Sequence, residues 1–176
     1  MLFDKKLLQY EKKHNFINVK YNNTILAITI TSVRIPFGIK ELIYNSNKNY
    51  NLQISIDNKN DKLSNLLNFI IKLEEHAKEM ISDDGILEDK KFMSRIYYSD
   101  KSPLIRLDLK NDTLIRDKNN NKIPLQSYLN KSLIGSISFS YLGIYISKNI
   151  GLSFKIDSII IEETKDKTNK ITNFNF

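Results

Sequence analysis

The feature that most constrains the fold is a pair of long apolar segments in residues 133–162. In the second segment, apolar and polar residues alternate: Leu152, Ser153, Phe154, Lys155, Ile156 and Asp157. This two-residue period is typical of a half-buried strand. In the first segment, Ile137, Phe139 and Tyr141 share one face and serines occupy the other. Asn149 and Gly151 tolerate left-handed backbone angles, so the two segments predict a long β-hairpin with its turn at residues 147–151.

The same period, or a run of β-branched residues, indicates further strands along the chain. They are predicted at residues 15–21, 24–35, 50–57 and 104–109, with short strands around Leu114 and Ile123. Pro36 ends the second of these, since proline cannot donate to a strand ladder, and Gly38 eases the turn that follows. The segments between them are predicted as a polar loop at residues 45–49, a turn at 117–122 and one helical turn at 125–131.

Residues 61–82 have a different period and predict the one long helix of the chain. Their apolar residues recur every three or four positions: Leu63, Leu66, Leu67, Ile70, Leu73, Ala77 and Met80. Asp61 is the predicted N-cap, and Gly85 follows the predicted end. An amphipathic helix in a chain of strands must lie on the sheet or close the end of a barrel. The sequence therefore predicts a mainly β protein of the α+β kind.

The chain has 176 residues, a formal net charge of +7 and no cysteine. The charge makes polyanions the first partners to consider, although Asn, Lys and Ile are abundant in the way an AT-rich genome produces. Because no apolar run reaches about 18 residues and the N-terminus lacks a signal-peptide core, we expect a soluble intracellular protein without membrane association. The expected organisation is an N-terminal arm at residues 1–14, forming a short helix or strand, a domain at 15–162 and a flexible tail at 163–176.

Enzymatic function is disfavoured by the residues present. The two histidines, His14 and His76, lie far apart in the sequence, and no metalloprotease, nucleophile-elbow or phosphate-loop motif occurs. Acidic residues around 83–89 could hold a hard cation, but an acidic surface loop is the favoured interpretation. We therefore expect no catalysis, no cofactor and no metal site.

Three stretches interleave basic and aromatic residues, namely residues 34–40, 91–101 and 141–155. Proteins that bind single-stranded nucleic acid need cations for phosphates and flat rings for unstacked bases, each stacked base contributing roughly 1–3 kcal/mol. Phe92, Phe139 and Phe154 are assigned to the core. Tyr97 and Tyr98 are adjacent, so only one of them can face inward from a strand.

The order of elements resembles the single-stranded DNA-binding proteins of large nucleocytoplasmic DNA viruses, the giant-virus and asfarvirus group. The similar segments are VRIPFGI at residues 33–39, the strand YNLQISID with the helix LSNLLNFIIKLEEHAKEMI after it, SPLIRLDL at 102–109, and GIYI with GLSFKI at 143–156. The likeness covers about residues 20–162. The chain departs from this family in lacking tryptophan, with Tyr145 where one would be expected, and in a tail of mixed charge.

The resemblance implies an OB-like antiparallel barrel that binds single-stranded DNA without sequence preference, in viral DNA replication, recombination or repair. It implies a viral factory in the host cytoplasm, or the nucleus, as the location, and replication proteins or further copies of the chain as other partners. Residues and resemblance together give this candidate DNA-binding set: Arg34, Phe37, Arg95, Tyr97, Tyr98, Lys101, Arg106, Tyr145, Lys148 and Lys155. Two alternatives stay open, a protein-interaction module of a viral replication or transcription assembly without nucleic-acid contact, and an RNA-binding OB protein.

Overall fold

The computed structural model describes residues 5–44, 46–83, 90–111 and 113–165. In these ranges the strands are β1 (Leu8–Lys13), β2 (Phe16–Tyr21), β3 (Leu26–Ile35), β4 (Ile39–Tyr44), β5 (Asn47–Ser55), β6 (Lys91–Phe92), β7 (Ile96–Tyr98), β8 (Pro103–Leu109), β9 (Leu114–Asp117), β10 (Ser132–Ile146) and β11 (Asn149–Lys165). Helix α1 (Asp61–Asp83) lies between β5 and β6, and single 3₁₀ turns occupy Lys5–Leu7 and Leu125–Tyr128.

Five of the strands form a closed ring of hydrogen bonds. β10 pairs with β3 and with β11, β3 pairs with β5, β5 with β8, and β8 with β11. Only the β8–β11 pairing within this ring is parallel. Closure removes open sheet edges, and it confirms the predicted mainly β, OB-like architecture with one long helix.

The β10–β11 hairpin joins the two longest strands of the described residues, and it confirms the prediction from residues 133–162. Its turn is shorter than predicted, since only Ser147 and Lys148 lie between the strands and Tyr145 pairs with Gly151. Gly143 has a φ of +139°, and a Cβ there would lie 2.0 Å from the carbonyl oxygen of Ile17. Glycine therefore lets β10 bend and pair with β2 at this point.

Helix α1 matches its predicted range, but its N-cap is Asn60 and not Asp61. The Oδ1 atom of Asn60 accepts hydrogen bonds from the backbone N–H groups of Lys62 (3.0 Å) and Leu63 (3.3 Å). Asp61 is the first helical residue, where its carboxylate faces the positive end of the helix. The buried stripe faces the barrel and consists of Leu63, Leu66, Ile70, Leu73, Glu74, Ala77 and Ile81.

The core is filled by side chains that point into the ring. The Phe154 ring makes an edge contact with Phe139, with 5.7 Å between centroids, and a tilted contact with Tyr141 at 5.3 Å. All three are buried, so Phe139 and Phe154 are core residues as predicted. Phe92 is only half-buried, with the Lys78 ammonium 5.0 Å from its ring centroid.

Two segments differ from the sequence-based assignment. The loop predicted at residues 45–49 is instead a tight hairpin between β4 and β5, and Ser46 adopts a φ of +64° in its turn. Polar residues such as Lys48 can stand in β5 here because their side chains remain exposed while their backbone pairs with β4. No strand forms around Ile123 within the described residues; Lys122 makes an isolated bridge to Arg116.

The first and last described strands, β1 and β11, extend the sheet. β1 pairs with β2 along its whole length, so residues 8–13 form a strand and not a helix. β11 runs to Lys165, three residues beyond the expected boundary at 162. Residues 84–89, within the predicted acidic loop, and residues 166–176, most of the predicted tail, lie outside the described residues. In the described ranges no helix is long and apolar enough to cross a membrane.

Candidate functional site

Along β5 and β8, apolar residues occupy the inward positions and polar residues occupy most of the outward ones. Gln53 lies opposite Arg106 in the β5–β8 ladder, and Asn51 lies opposite Asp108. Their neighbours along each strand, such as Leu52, are buried in the barrel. Since successive side chains point to opposite faces of a strand, the four polar side chains share the outer face.

An arginine and a tyrosine stack on this outer face. β7 pairs with β8 so that Tyr97 lies opposite Leu104, on the same face as Arg106. The guanidinium carbon of Arg106 is 5.1 Å from the Tyr97 ring centroid, within cation–π range. The Nε atom of Arg106 is buried and has no hydrogen-bond partner among the described atoms. The Arg106 guanidinium therefore stacks on the Tyr97 ring at the β5–β8 ladder, and its Nε donor is unused.

Arg95 lies under this surface and is 5% exposed. Its Nε donates to the carbonyl oxygen of Leu152 at 2.7 Å, and its Nη1 forms an ion pair with Asp108 Oδ2 at 2.7 Å. The Tyr145 ring centroid lies 5.7 Å from its guanidinium carbon. Arg95 is thus engaged by protein groups, and its contact with a ligand stays a prediction.

Two further predicted cations extend the same face on either side. Lys155 lies opposite Asp108 across the β8–β11 pairing, and Arg34 lies opposite Ser55 across the β3–β5 pairing. Arg34 is exposed and Lys155 half-buried. We call the surface formed by Arg34, Gln53, Tyr97, Arg106, Tyr145 and Lys155 the cationic face. No carboxylate of the described residues lies within ion-pair distance of its three cations.

Phe37 lies at the edge of this region, in the turn after β3. This residue is 37% exposed, and the Lys40 ammonium lies 4.8 Å from the ring centroid. The turn needs Gly38, whose φ is +65° and where a Cβ would lie 2.1 Å from the carbonyl oxygen of Lys131. Lys40 lies opposite Asn51 in the β4–β5 ladder, so it shares the outer side with the cationic face. Sequence reasoning placed Lys40 in a basic and aromatic stretch but did not select it.

The remaining predicted residues lie at a strand end or in turns, outside the set that defines the cationic face. Tyr98 is 75% exposed at the end of β7, which agrees with the prediction that one of the two adjacent tyrosines faces solvent. Lys101 is exposed in the following turn, which the Ser99 hydroxyl closes by donating to the carbonyl oxygen of Ser102 at 2.6 Å. Lys148 is exposed in the β10–β11 turn.

The histidine on the helix serves a structural contact elsewhere. Tyr10 of β1 and Nε2 of His76 share a hydrogen bond, and Nδ1 of His76 lies 3.6 Å from a Glu79 oxygen. Burial raises the pKa of Tyr10 to about 12. Among the described residues, no three carboxylate or imidazole side chains lie close enough together to hold a metal ion.

Comparison with known proteins identifies the fold. No protein-family model and no curated protein sequence matches the chain. The structure of gp2.5, a single-stranded DNA-binding protein encoded by bacteriophage T7, matches with a TM-score of 0.53 and 12% identity, over 81% of this chain and 88% of the phage protein. The single-stranded DNA-binding protein from bacteriophage Enc34, in complex with single-stranded DNA, matches with a TM-score of 0.56 and 10% identity, over 93% of this chain and 98% of the other. The chain therefore shares the OB-type fold of two phage single-stranded DNA-binding proteins.

Proposed function

We propose that this protein binds single-stranded DNA without sequence preference, through the cationic face. The carrying observation is the Arg106 guanidinium stacked on Tyr97, on the same face as Lys155 and without a carboxylate partner among the described residues. Unpaired cations attract phosphates, and rings beside them stack on bases of any sequence. A likeness of fold to two proteins described as binding single-stranded DNA supports the same function.

The proposed division of labour follows residue type. The cations that would meet phosphates are Arg34, Arg106 and Lys155 of the cationic face, together with Lys101 and Lys148 in turns outside it. The rings that would stack on bases are Phe37, Tyr97, Tyr98 and Tyr145. Arg95 is assigned a supporting role because it is buried and bonded to protein groups.

The biological setting is part of the proposal. We place the protein in viral DNA replication, recombination or repair, with no catalytic activity of its own, in a viral factory or the nucleus of a host cell. Both structural neighbours named above are phage proteins. The assignment to nucleocytoplasmic viruses therefore rests on the sequence resemblance alone. Contacts with replication proteins, and assembly with further copies of the chain, belong to the same proposal.

The test is a fluorescence-anisotropy titration of labelled dT oligomers at low and at high salt. Tight binding that weakens steeply with salt is expected. The double variant Tyr97→Ala with Arg106→Gln should weaken binding at both salt concentrations without unfolding the chain. Lys118→Gln, an exposed lysine in the turn after β9, is the control and should bind as the wild type does.

Other results would identify the two alternatives. Absence of dT binding at low salt would refute the proposal and favour a protein-interaction module. Tighter binding of a matched U oligomer, in competition with dT, would favour an RNA-binding protein. Equal affinity of the double variant and the wild type would move the site away from the cationic face.

A further inference from the structure

Helix α1 contacts the segment between β6 and β7 through a buried carboxylate. Glu74 is 5% exposed, and its oxygens accept a hydrogen bond from the Ser94 hydroxyl at 2.8 Å and one from the backbone N–H of Arg95 at 2.6 Å. A buried carboxylate is costly unless hydrogen bonds compensate it. Glu74 therefore fixes the backbone between β6 and β7 at the residue from which the Arg95 side chain starts.

The Arg95 side chain continues this connection to β8 and β11. Its Nε and Nη1 donate to the Leu152 carbonyl oxygen and to Asp108, both at 2.7 Å. Two short bonds in different directions fix the plane of a guanidinium, because the group is rigid and flat. With a side chain this buried and two donors already used, Arg95 is placed to support its neighbours.

The fixed guanidinium is placed against Tyr145. The ring centroid is 5.7 Å from the guanidinium carbon. Gly151, which pairs with Tyr145 across the hairpin, has no side chain, and a Cβ there would lie 2.7 Å from the tyrosine hydroxyl. The ring therefore has the Arg95 guanidinium over it and the bare backbone of Gly151 beside its hydroxyl end.

We infer that Glu74 and Arg95 are positioning residues, which hold the Tyr145 ring in the orientation that a stacked base requires. The inference rests on the proposed function for the identity of the ligand. It gives helix α1 a role at the site, although α1 contributes no residue to the cationic face. It also reassigns Arg95, a predicted ligand contact, to the support of its neighbour.

Binding of a dT oligomer separates a positioning residue from a phosphate ligand. Arg95→Lys keeps the charge that pairs with Asp108, but a lysine cannot also bond the Leu152 carbonyl and stack on the ring, so affinity should fall about tenfold, within the range for one stacked base. The slope of log affinity against log salt should stay unchanged, whereas loss of a phosphate contact would reduce it by about 0.7. In a Tyr145→Ala background, Arg95→Lys should have little further effect, because the ring that it positions is gone.

A measurement without DNA tests the positioning itself. In NMR spectra of protein with ¹³C-labelled tyrosine, the Tyr145 ring signals should shift in both Arg95→Lys and Glu74→Gln, while those of Tyr128, in the separate 3₁₀ turn, should not. Thermal unfolding shows whether each variant is folded. Ser94→Ala, which removes one donor to Glu74, tests the same link with a smaller change and should move the Tyr145 signals less.

The outcomes are distinct for the two proposals. Absence of dT binding by the wild-type protein would refute the proposed function. The NMR signals of Tyr145 would still decide whether Glu74 and Arg95 position the ring. Unchanged Tyr145 signals in the folded variants would overturn the inference. A reduced salt slope for Arg95→Lys, or an undiminished effect in the Tyr145→Ala background, would overturn it as well.

Discussion

Replacing Lys155 by glutamine should remove one phosphate contact from the proposed site with little effect on the fold. Lys155 lies on the outer side of β11, half-buried, opposite Asp108. The Asp108 carboxylate is already bonded to Arg95 at 2.7 Å, so removal of the lysine charge breaks no ion pair. Glutamine retains the Cβ and Cγ methylene groups of the lysine stem.

The magnitude follows from the number of cations proposed to meet phosphates. Each phosphate contact with a single strand contributes about 0.7 to the salt slope, so about five contacts give a slope near −3.5. Affinity should then fall roughly 100-fold between 50 and 200 mM salt. With one contact fewer, the slope should be about −2.8 and the fall roughly 50-fold.

The assay is the anisotropy titration of a dT oligomer at four or more salt concentrations, with Lys118→Gln as the matched charge control. Lys118 follows Asp117, which pairs with Ile161, so it lies roughly 20 Å along β11 from Lys155. The control should keep the wild-type slope. A Lys155→Gln slope equal to that of the wild type would refute a phosphate contact there, and a wild-type slope near zero would refute the electrostatic mechanism itself.

Three further predictions concern the fold. Gly143→Ala should lower the free energy of unfolding by about 2 kcal/mol or more, since its Cβ would overlap the Ile17 carbonyl. A free energy of unfolding equal to that of the wild type, measured by urea denaturation, would contradict this. Asn60→Ala should cost about 1 kcal/mol and Asp61→Ala less, and equal costs in the same assay would contradict the assignment of the N-cap. Burial raises the pKa of Tyr10 from 10.0 to about 12, so the folded state holds the proton more tightly and stability should fall as pH rises between these values. Tyr10→Phe should remove this part of the fall, and an unchanged pH profile of stability would show that Tyr10 does not cause it.

The elements predicted correctly are those with one buried face. The hairpin of β10 and β11 and the helix α1 each bury a regular stripe, so a period of two or of 3.6 residues is visible in the sequence. β4 was missed because it lies at the edge, where Leu42 is 49% and Ile43 69% exposed and neither face alternates cleanly. Closure of the ring through β8 and β11 joins residues distant in sequence, such as Asp108 and Lys155, and no local pattern encodes such a pairing.

At the candidate site, the exposure of a side chain could be predicted where it depends on neighbours in the sequence. The adjacency of Tyr97 and Tyr98 is enough to predict that one of them is exposed, and Tyr98 is. The burial of Arg95 was not predictable, because its partners Leu152 and Asp108 come from other strands. A basic residue among aromatic ones looks the same in sequence whether it faces solvent or anchors a ring from below.

The charge of the cationic face depends on that buried arginine. Asp108 shares the face with Arg106 and lies opposite Lys155, so without another partner its carboxylate would neutralise one of them. The Nη1 group of Arg95 holds this carboxylate from beneath at 2.7 Å, which leaves the two outer cations available to a polyanion. Burying an arginine normally costs free energy, and the ion pair with a half-exposed aspartate offsets part of that cost. A buried arginine can therefore raise the number of cations that are free for the proposed contact with DNA.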